Sequence, residues 1–222
     1  MQSAPIRVIN PNSSEAVTQA MDAALAPLKS LAGPEIVCET LREGPPGVES
    51  EAHIAQVTGP LLGLAQSGPA SALVVACFSD PGLPLLRESM ACPVFGIGES
   101  AYLAALNLGQ RFGVISILAA SVKRHLRQIR ALGLEQRLAG DLPLGLGVTE
   151  LAGDEAAVLA RLTEVGETLR DAHGADVLIL GCAGMARYRT ALEERLGLPV
   201  VDPTQAATAS AIAAVQLAWT TS

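Results

Sequence analysis

The sequence predicts an α/β protein of two pseudo-symmetric lobes, each a four-stranded, mainly parallel sheet flanked by helices, with the active site between the lobes. Short apolar runs rich in β-branched residues alternate with amphipathic stretches along the whole chain, the pattern of parallel strands joined by helical crossovers. The second four runs repeat the first four at an offset of 105 to 106 residues, with Arg7 mapping onto Gly113, Cys77 onto Cys182 and Pro93 onto Pro199. With 222 residues, half of them apolar, the chain can bury one large core or two small ones without covalent staples.

Strands are predicted at 6–10 (IRVIN), 35–40 (EIVCET), 72–78 (ALVVACF), 93–97 (PVFGI), 111–117 (RFGVISI), 144–149 (LGLGVT), 176–182 (DVLILGC) and 199–202 (PVVD). Helices fit the stretches between them, at 13–31, 50–67, 99–107, 119–132, 154–173, 187–196 and 204–219, and a short one follows Pro84. Ser13 or Ser14, Asp154 and Thr204 are residues that start helices by accepting free N–H groups. The division that follows is a first lobe at 1–98 and a second at 99–204, with a C-terminal helix at 205–222 packing back on the first.

Composition removes several classes of function. A net charge of -7 without a basic block, and an aromatic fraction of 3 %, leave neither a phosphate-tracking surface nor a base-stacking platform, so no nucleic-acid partner is expected. Gly, Pro and charged residues interrupt every apolar run before the roughly 18 to 20 residues that a bilayer requires, so no membrane partner is expected either. MQSAPIRVINPN leads into the first strand without a charged and then apolar leader, which points to a cytoplasmic protein. The four cysteines, Cys38, Cys77, Cys92 and Cys182, show no CxxC spacing and no neighbouring His, so they read as free thiols rather than disulfides or metal ligands. Neither Lys29 nor Lys123, the two lysines, ends a strand, so a pyridoxal phosphate anchor is lacking and no cofactor is expected.

The chemistry lies in LVVACFSD (73–80) and VLILGCAG (177–184). Ligands bind open parallel sheets beyond the carboxyl ends of the strands, where Cys77 and Cys182 both fall. Paired across one cleft, a thiolate removes a proton from a carbon beside a carbonyl, and a thiol returns one to the opposite face. An unperturbed thiol is only about 3 % ionised at neutral pH, so a site of this kind is expected to favour the thiolate, helped by a helix N-terminus. Phe78 and Ser79 follow the first cysteine and are expected to face substrate. Ala183 and Gly184 follow the second, where backbone N–H groups can approach an enolate oxygen closely. Asn10 ends the first strand and is the better ligand-binding candidate there, Asn12 serving a helix start. Ser116 and Ile117 occupy the repeat-related place. Asp80, before Pro81, reads as a helix cap, Cys38 and Cys92 read as packing, and the three histidines and the basic stretch SVKRHLRQIR (121–130) read as solvated helix faces.

The motifs VINPNSS (8–14), ACFSDPGL (76–83), FGIGESA (95–101), RFGVIS (111–116) and LGCAGM (180–185) resemble the aspartate/glutamate racemase superfamily, and within it the hydantoin and allantoin racemases. Amino-acid racemases of that superfamily carry Asn-Thr after the first cysteine and Thr-His after the second. Here the pairs are Phe78-Ser79 and Ala183-Gly184, which turns the expectation away from free amino acids. The resemblance implies cofactor-independent racemisation of a 5-substituted hydantoin, with Cys77 and Cys182 as opposed acid and base. The C5 proton of a hydantoin adjoins a carbonyl of a neutral ring, so no cationic carboxylate clamp is required. Partners are then a small molecule with a hydantoin ring and, in a homo-oligomer, further copies of the chain. Allantoin racemisation is the alternative within the same chemistry. A decarboxylase or cis-trans isomerase of the superfamily fits the motifs less well. A non-catalytic two-lobed ligand-binding protein would need no special thiols, and a redox protein would bring the sulfurs into a disulfide.

Overall fold

The computed structural model describes residues 4–30 and 33–219; residue 31, the last of the first predicted helix, and 220–222 of the C-terminal segment lie outside the described residues. The first sheet contains β1 (Ile6–Asn10), β2 (Ile36–Thr40), β3 (Ala72–Val75) and β4 (Val94–Gly96), and the second contains β5 (Phe112–Ser116), β6 (Leu138–Pro143), β7 (Val177–Leu180) and β8 (Val200–Val201). Each sheet is wholly parallel, and the two have the same order, β2-β1-β3-β4 and β6-β5-β7-β8. The repeat in the sequence is thus a repeat of topology. In both sheets the strand order reverses at the central pair, β1 and β3 or β5 and β7, and a crevice opens beyond the strand ends at such a reversal.

The helices are α1 (Glu15–Ala24), α2 (Ala26–Lys29), α3 (Glu51–Gln66), α4 (Leu83–Ser89), α5 (Ile97–Leu108), α6 (Ala119–Ala131), α7 (Glu155–Asp171), α8 (Arg189–Leu196) and α9 (Pro203–Gln216). Two of them cross between the lobes. From β4 of the first sheet, α5 packs on β5, β7 and β8 of the second, while α9 leaves β8 and packs on β1, β3 and β4 of the first. The two helices also pack on each other, and one buried apolar cluster runs from Ile6, Val8 and Val74 to Ile115, Leu178 and Leu180. The seam between the lobes is therefore core, not surface.

Three sequence expectations need correction. The strand expected at 144–149 lies instead at Leu138–Pro143; the Leu144–Val148 stretch is a loop whose apolar side chains are buried without belonging to a ladder. The single helix expected over 13–31 breaks at Leu25, because Pro27 lacks the N–H that a continuous helix needs and occupies the first turn of α2. The start of α9 is capped by Asp202, whose carboxylate accepts the Gln205 N–H at 2.7 Å, rather than by Thr204. Ser14 and Asp154 cap α1 and α7.

Arg7 fastens α3 to the first sheet. From β1 its guanidinium donates to the carbonyl oxygens of Ala65 (2.8 Å) and Leu64 (2.9 Å) at the end of α3, and to the Glu39 carboxylate on β2 (2.8 Å). Arg7→Ala strands these acceptors in a largely buried place. The expected loss is ~3 kcal/mol of unfolding free energy, read as a lower urea midpoint.

Candidate active site

Each cysteine lies two residues beyond the end of a central strand, Cys77 after β3 and Cys182 after β7. Both line one small, partly open cavity of about 30 Å³ at the seam. The backbone after each thiol turns back on it. The Gly184 N–H donates to the Cys182 Sγ at 3.4 Å, and the Ser79 N–H is hydrogen-bonded to Cys77 in the same way. Gly181 permits this turn, since a Cβ there would sit 2.7 Å from the Ile115 carbonyl oxygen. The segment after Cys182 is a 3-10 turn (Ala183–Tyr188) and α4 starts only at Leu83, so neither thiol sits directly on an α-helix N-terminus.

The thiolate is not favoured in this cavity, contrary to the sequence expectation. Burial pushes Cys77 up to about 12, against the pull of the Ser79 N–H and of the Arg124 charge. Burial likewise pushes Cys182 up to about 11, against the Gly184 N–H. The cause is desolvation, which penalises the charged form more than single N–H groups can offset.

The other sequence candidates divide. Phe78, Ser79, Ile117 and Ala183 line the cavity with the cysteines. Asn10 does not: its amide donates to the Asn12 Oδ1 (3.0 Å) and the Thr18 hydroxyl (3.1 Å), and its Oδ1 accepts the Asn12 N–H (3.2 Å). Asn12, held by that network, is the residue at the cavity wall. Ser116 is fully buried and bonds to His125 and Asp141 rather than lining the cavity. Gly184 reaches the site through its N–H alone.

Residues of α6 complete the wall and were missed. Ser121, Arg124 and His125 all line the cavity, although their stretch reads as a solvated basic face. Both Arg124 and His125 are buried. His125 Nδ1 lies 2.8 Å from the Asp141 Oδ2 and 3.1 Å from the Ser116 Oγ, and its ring meets Phe78 edge-on at 4.8 Å. The signal that was available is spacing: residues 121, 124, 125 and 128 share one face of a helix. The cavity therefore holds a cation, which the sequence did not lead one to expect.

The turn after Cys77 docks into the second lobe. Phe78 packs edge-on against Tyr102 of α5 at 5.4 Å as well as against His125. Asp80 is buried at a positive φ of 45°, and its carboxylate accepts the Gly98 N–H (2.9 Å), the Glu99 N–H (2.8 Å) and the Gln128 amide. Asp80 is thus a helix cap, but of α5 rather than of α4, whose N-cap is Gly82. Burial pushes this carboxyl up to about 7, with the Glu99 and Gly98 N–H groups and Gln128 pulling it down. A Cβ at Gly98 would collide with the Phe78 carbonyl oxygen, so the approach of α5 to this turn depends on that glycine.

Twin parallel sheets of one topology, with a cavity where their strand ends meet, define a two-lobed α/β fold. The Asp/Glu/Hydantoin racemase family matches residues 6–211, and the chain belongs to that family; the enzyme is an isomerase, a racemase. It is 35 % identical to a hydantoin racemase of Paenarthrobacter aurescens, over 98 % of this chain and 93 % of that protein. It superposes on an allantoin racemase from Klebsiella pneumoniae with a TM-score of 0.92 at 30 % identity, covering 99 % of this chain and 91 % of that one. A glutamate racemase of Bacillus anthracis shares the fold, with a TM-score of 0.75 at 18 % identity over 99 % and 84 % of the two chains. Among the described residues no helix is long and apolar enough to cross a membrane.

The raised thiol values give a pH dependence with a definite sign. Alkylation needs the thiolate, so iodoacetamide labelling of Cys77 and Cys182 should be slow at neutral pH and rise about tenfold per pH unit as pH climbs toward the raised values. Mass spectrometry of each cysteine-containing peptide checks this. Stability moves the other way: the buried neutral thiols contribute fully below the unfolded value of about 8.5, and the contribution is lost as pH rises through the folded values.

Proposed function

We propose that this racemase inverts C5 of 5-substituted hydantoins without a cofactor, Cys77 and Cys182 serving as the opposed acid and base. One observation carries the reading: two repeat-related thiols, one from each lobe, line the same small cavity. A thiolate on one side takes the C5 proton, forming S–H as C–H breaks, and the electron pair passes into the adjoining carbonyl. The thiol on the other side then gives its proton to the opposite face of the carbon, and the sulfurs have exchanged roles. Substrate contacts fall to Phe78, Ser79, Ile117 and Ala183 at the wall and to the Gly184 N–H, with Asn12 in place of Asn10.

Allantoin, a hydantoin bearing a urea group, is the second reading, favoured by the likeness in fold to the allantoin racemases. The division proposed is a first lobe of 1–98 with α9 returned to it, and a second of 99–204. A cytoplasmic homo-oligomer is proposed with it, supported by the four free thiols and by the exposed Leu103 and Leu108 on α5 beside Leu217 and Trp219 after α9.

Polarimetry on benzyl-, isobutyl- and methylthioethyl-hydantoin and on allantoin tests the substrate. Racemisation of the alkyl hydantoins in preference to allantoin is the expected result; activity on allantoin alone would select the second reading. Cys77→Ser and Cys182→Ser should each lower racemisation by about a thousandfold while the protein stays folded. In deuterated water one of the two variants should still exchange the C5 proton of a single enantiomer. Wild-type rates in both variants would remove the two-thiol reading.

A further inference from the structure

The cysteine pair accounts for the proton and leaves the charge unaccounted for. When C5–H ionises, a neutral ring becomes an anion inside a cavity too small to hold more than a few water molecules. Arg124 is the cation at that wall. It is only 9 % exposed, and it is fixed by its own helix, donating from Nη1 to the Ala120 carbonyl oxygen (3.2 Å) and from Nη2 to the Ser121 hydroxyl (3.0 Å). Its Nε–H is buried without a hydrogen-bond partner. The carboxylate nearest to hand is already engaged, since Glu51 pairs with Arg127 one turn along.

A buried guanidinium with an unused donor and no ion pair costs stability, and burial does lower its pKa. With both thiols protonated, no carboxylate among the described residues pairs directly with Arg124; Glu51 and Glu49 act on it only through space. An anion formed during turnover supplies the missing partner. A donor satisfied only after the charge has developed stabilises the transition state without tightening the ground state, which is the condition for raising kcat rather than lowering KM.

Resting on the hydantoin reading above, we propose that Arg124 is a catalytic residue, its Nε–H donating to the ring carbonyl oxygen that gathers charge as the C5 proton passes to a cysteine sulfur. No atom is transferred to or from Arg124. The electron pair of the broken C5–H bond moves into the C5–C4 bond, the carbonyl pair moves onto oxygen, and reprotonation by the opposite thiol reverses both shifts. The same positive charge favours the Cys77 thiolate that starts the reaction in one direction.

The test is steady-state racemisation by the parent chain, Arg124→Gln and Arg124→Lys, with thermal melts of all three. Arg124→Gln should lose about 10² to 10³ in kcat with KM changed less than about threefold, the size expected for one donor to a developing oxyanion. Arg124→Lys keeps the charge but not the planar Nε donor, and should recover only part of that loss. A Gln variant within about threefold of the parent in kcat, or one altered in KM alone, overturns the proposal while leaving the two-thiol reading intact. If the Gln variant fails to fold, the Lys variant decides: a kcat at least about tenfold down supports the role, and one within about threefold of the parent overturns it. A parent chain that racemises no hydantoin and no allantoin overturns both readings together.

Discussion

The site exists because one turn of the first lobe is embedded in the second. Phe78 sits among Tyr102, Phe112, Val114 and Ile129, and burying such a ring contributes about 1.5–3 kcal/mol. Two residues on, the Asp80 carboxylate closes the N-terminus of α5, where free N–H groups and the helix dipole favour negative charge. Cys77 is the residue immediately before this anchor, so its place relative to Cys182 is set by contacts made outside the first lobe altogether. The crossing of α5 and α9 between the sheets serves the same end, turning two similar half-domains into a single core.

Dryness has opposite effects on the groups in that seam. Desolvation holds both thiols in the neutral form, which by itself slows proton removal. It also raises the worth of every fixed dipole and charge nearby, among them the N–H groups of Ser79 and Gly184 and the guanidinium of Arg124. Thiols of ordinary acidity in a wet cleft would ionise more readily, but an anion on the ring would then be held by solvent that must reorganise as the reaction proceeds. On the two-thiol reading proposed above, a site made this way exchanges a readily available base for strong, fixed stabilisation of the charge it creates.

What the sequence made legible was whatever leaves a local signature. Seven of the eight strands coincide in place with apolar runs, and the strand-end cysteines stand out because the apolar runs LVVA and VLIL precede them. The eighth was misplaced for a physical reason. The edge strand β6, LAGDLP, is half-buried and contains Gly and Pro, so it lacks an apolar signal, whereas Leu144 and Val148 look like strand residues because they are buried in a loop. His125 and Arg124 were misread because what buries them comes from residues distant in sequence: Asp141 from β6, Phe78 from the first lobe. The thiol acidities were illegible for the same reason, being set by the closure of a cavity and not by the neighbours along the chain.

The contacts around the cavity are distributed unevenly between the two lobes. Val48 and Val148, from corresponding loops of the two lobes, both line the cavity, and the Glu49 carboxylate accepts the Val148 N–H at 2.8 Å. Further out, the Glu51–Arg127 pair joins α3 to α6 at the surface, where such pairs contribute little. On the reading proposed above, this narrow cavity widens to take a substituted five-membered ring. Withdrawing Phe78 and Asp80 would expose a ring, strip a helix cap and displace Cys77, whereas parting the loops gives up one charged hydrogen bond and a surface pair. Parting the loops therefore costs less than withdrawing the Phe78 turn, and it leaves Cys77 and Cys182 where their strands place them.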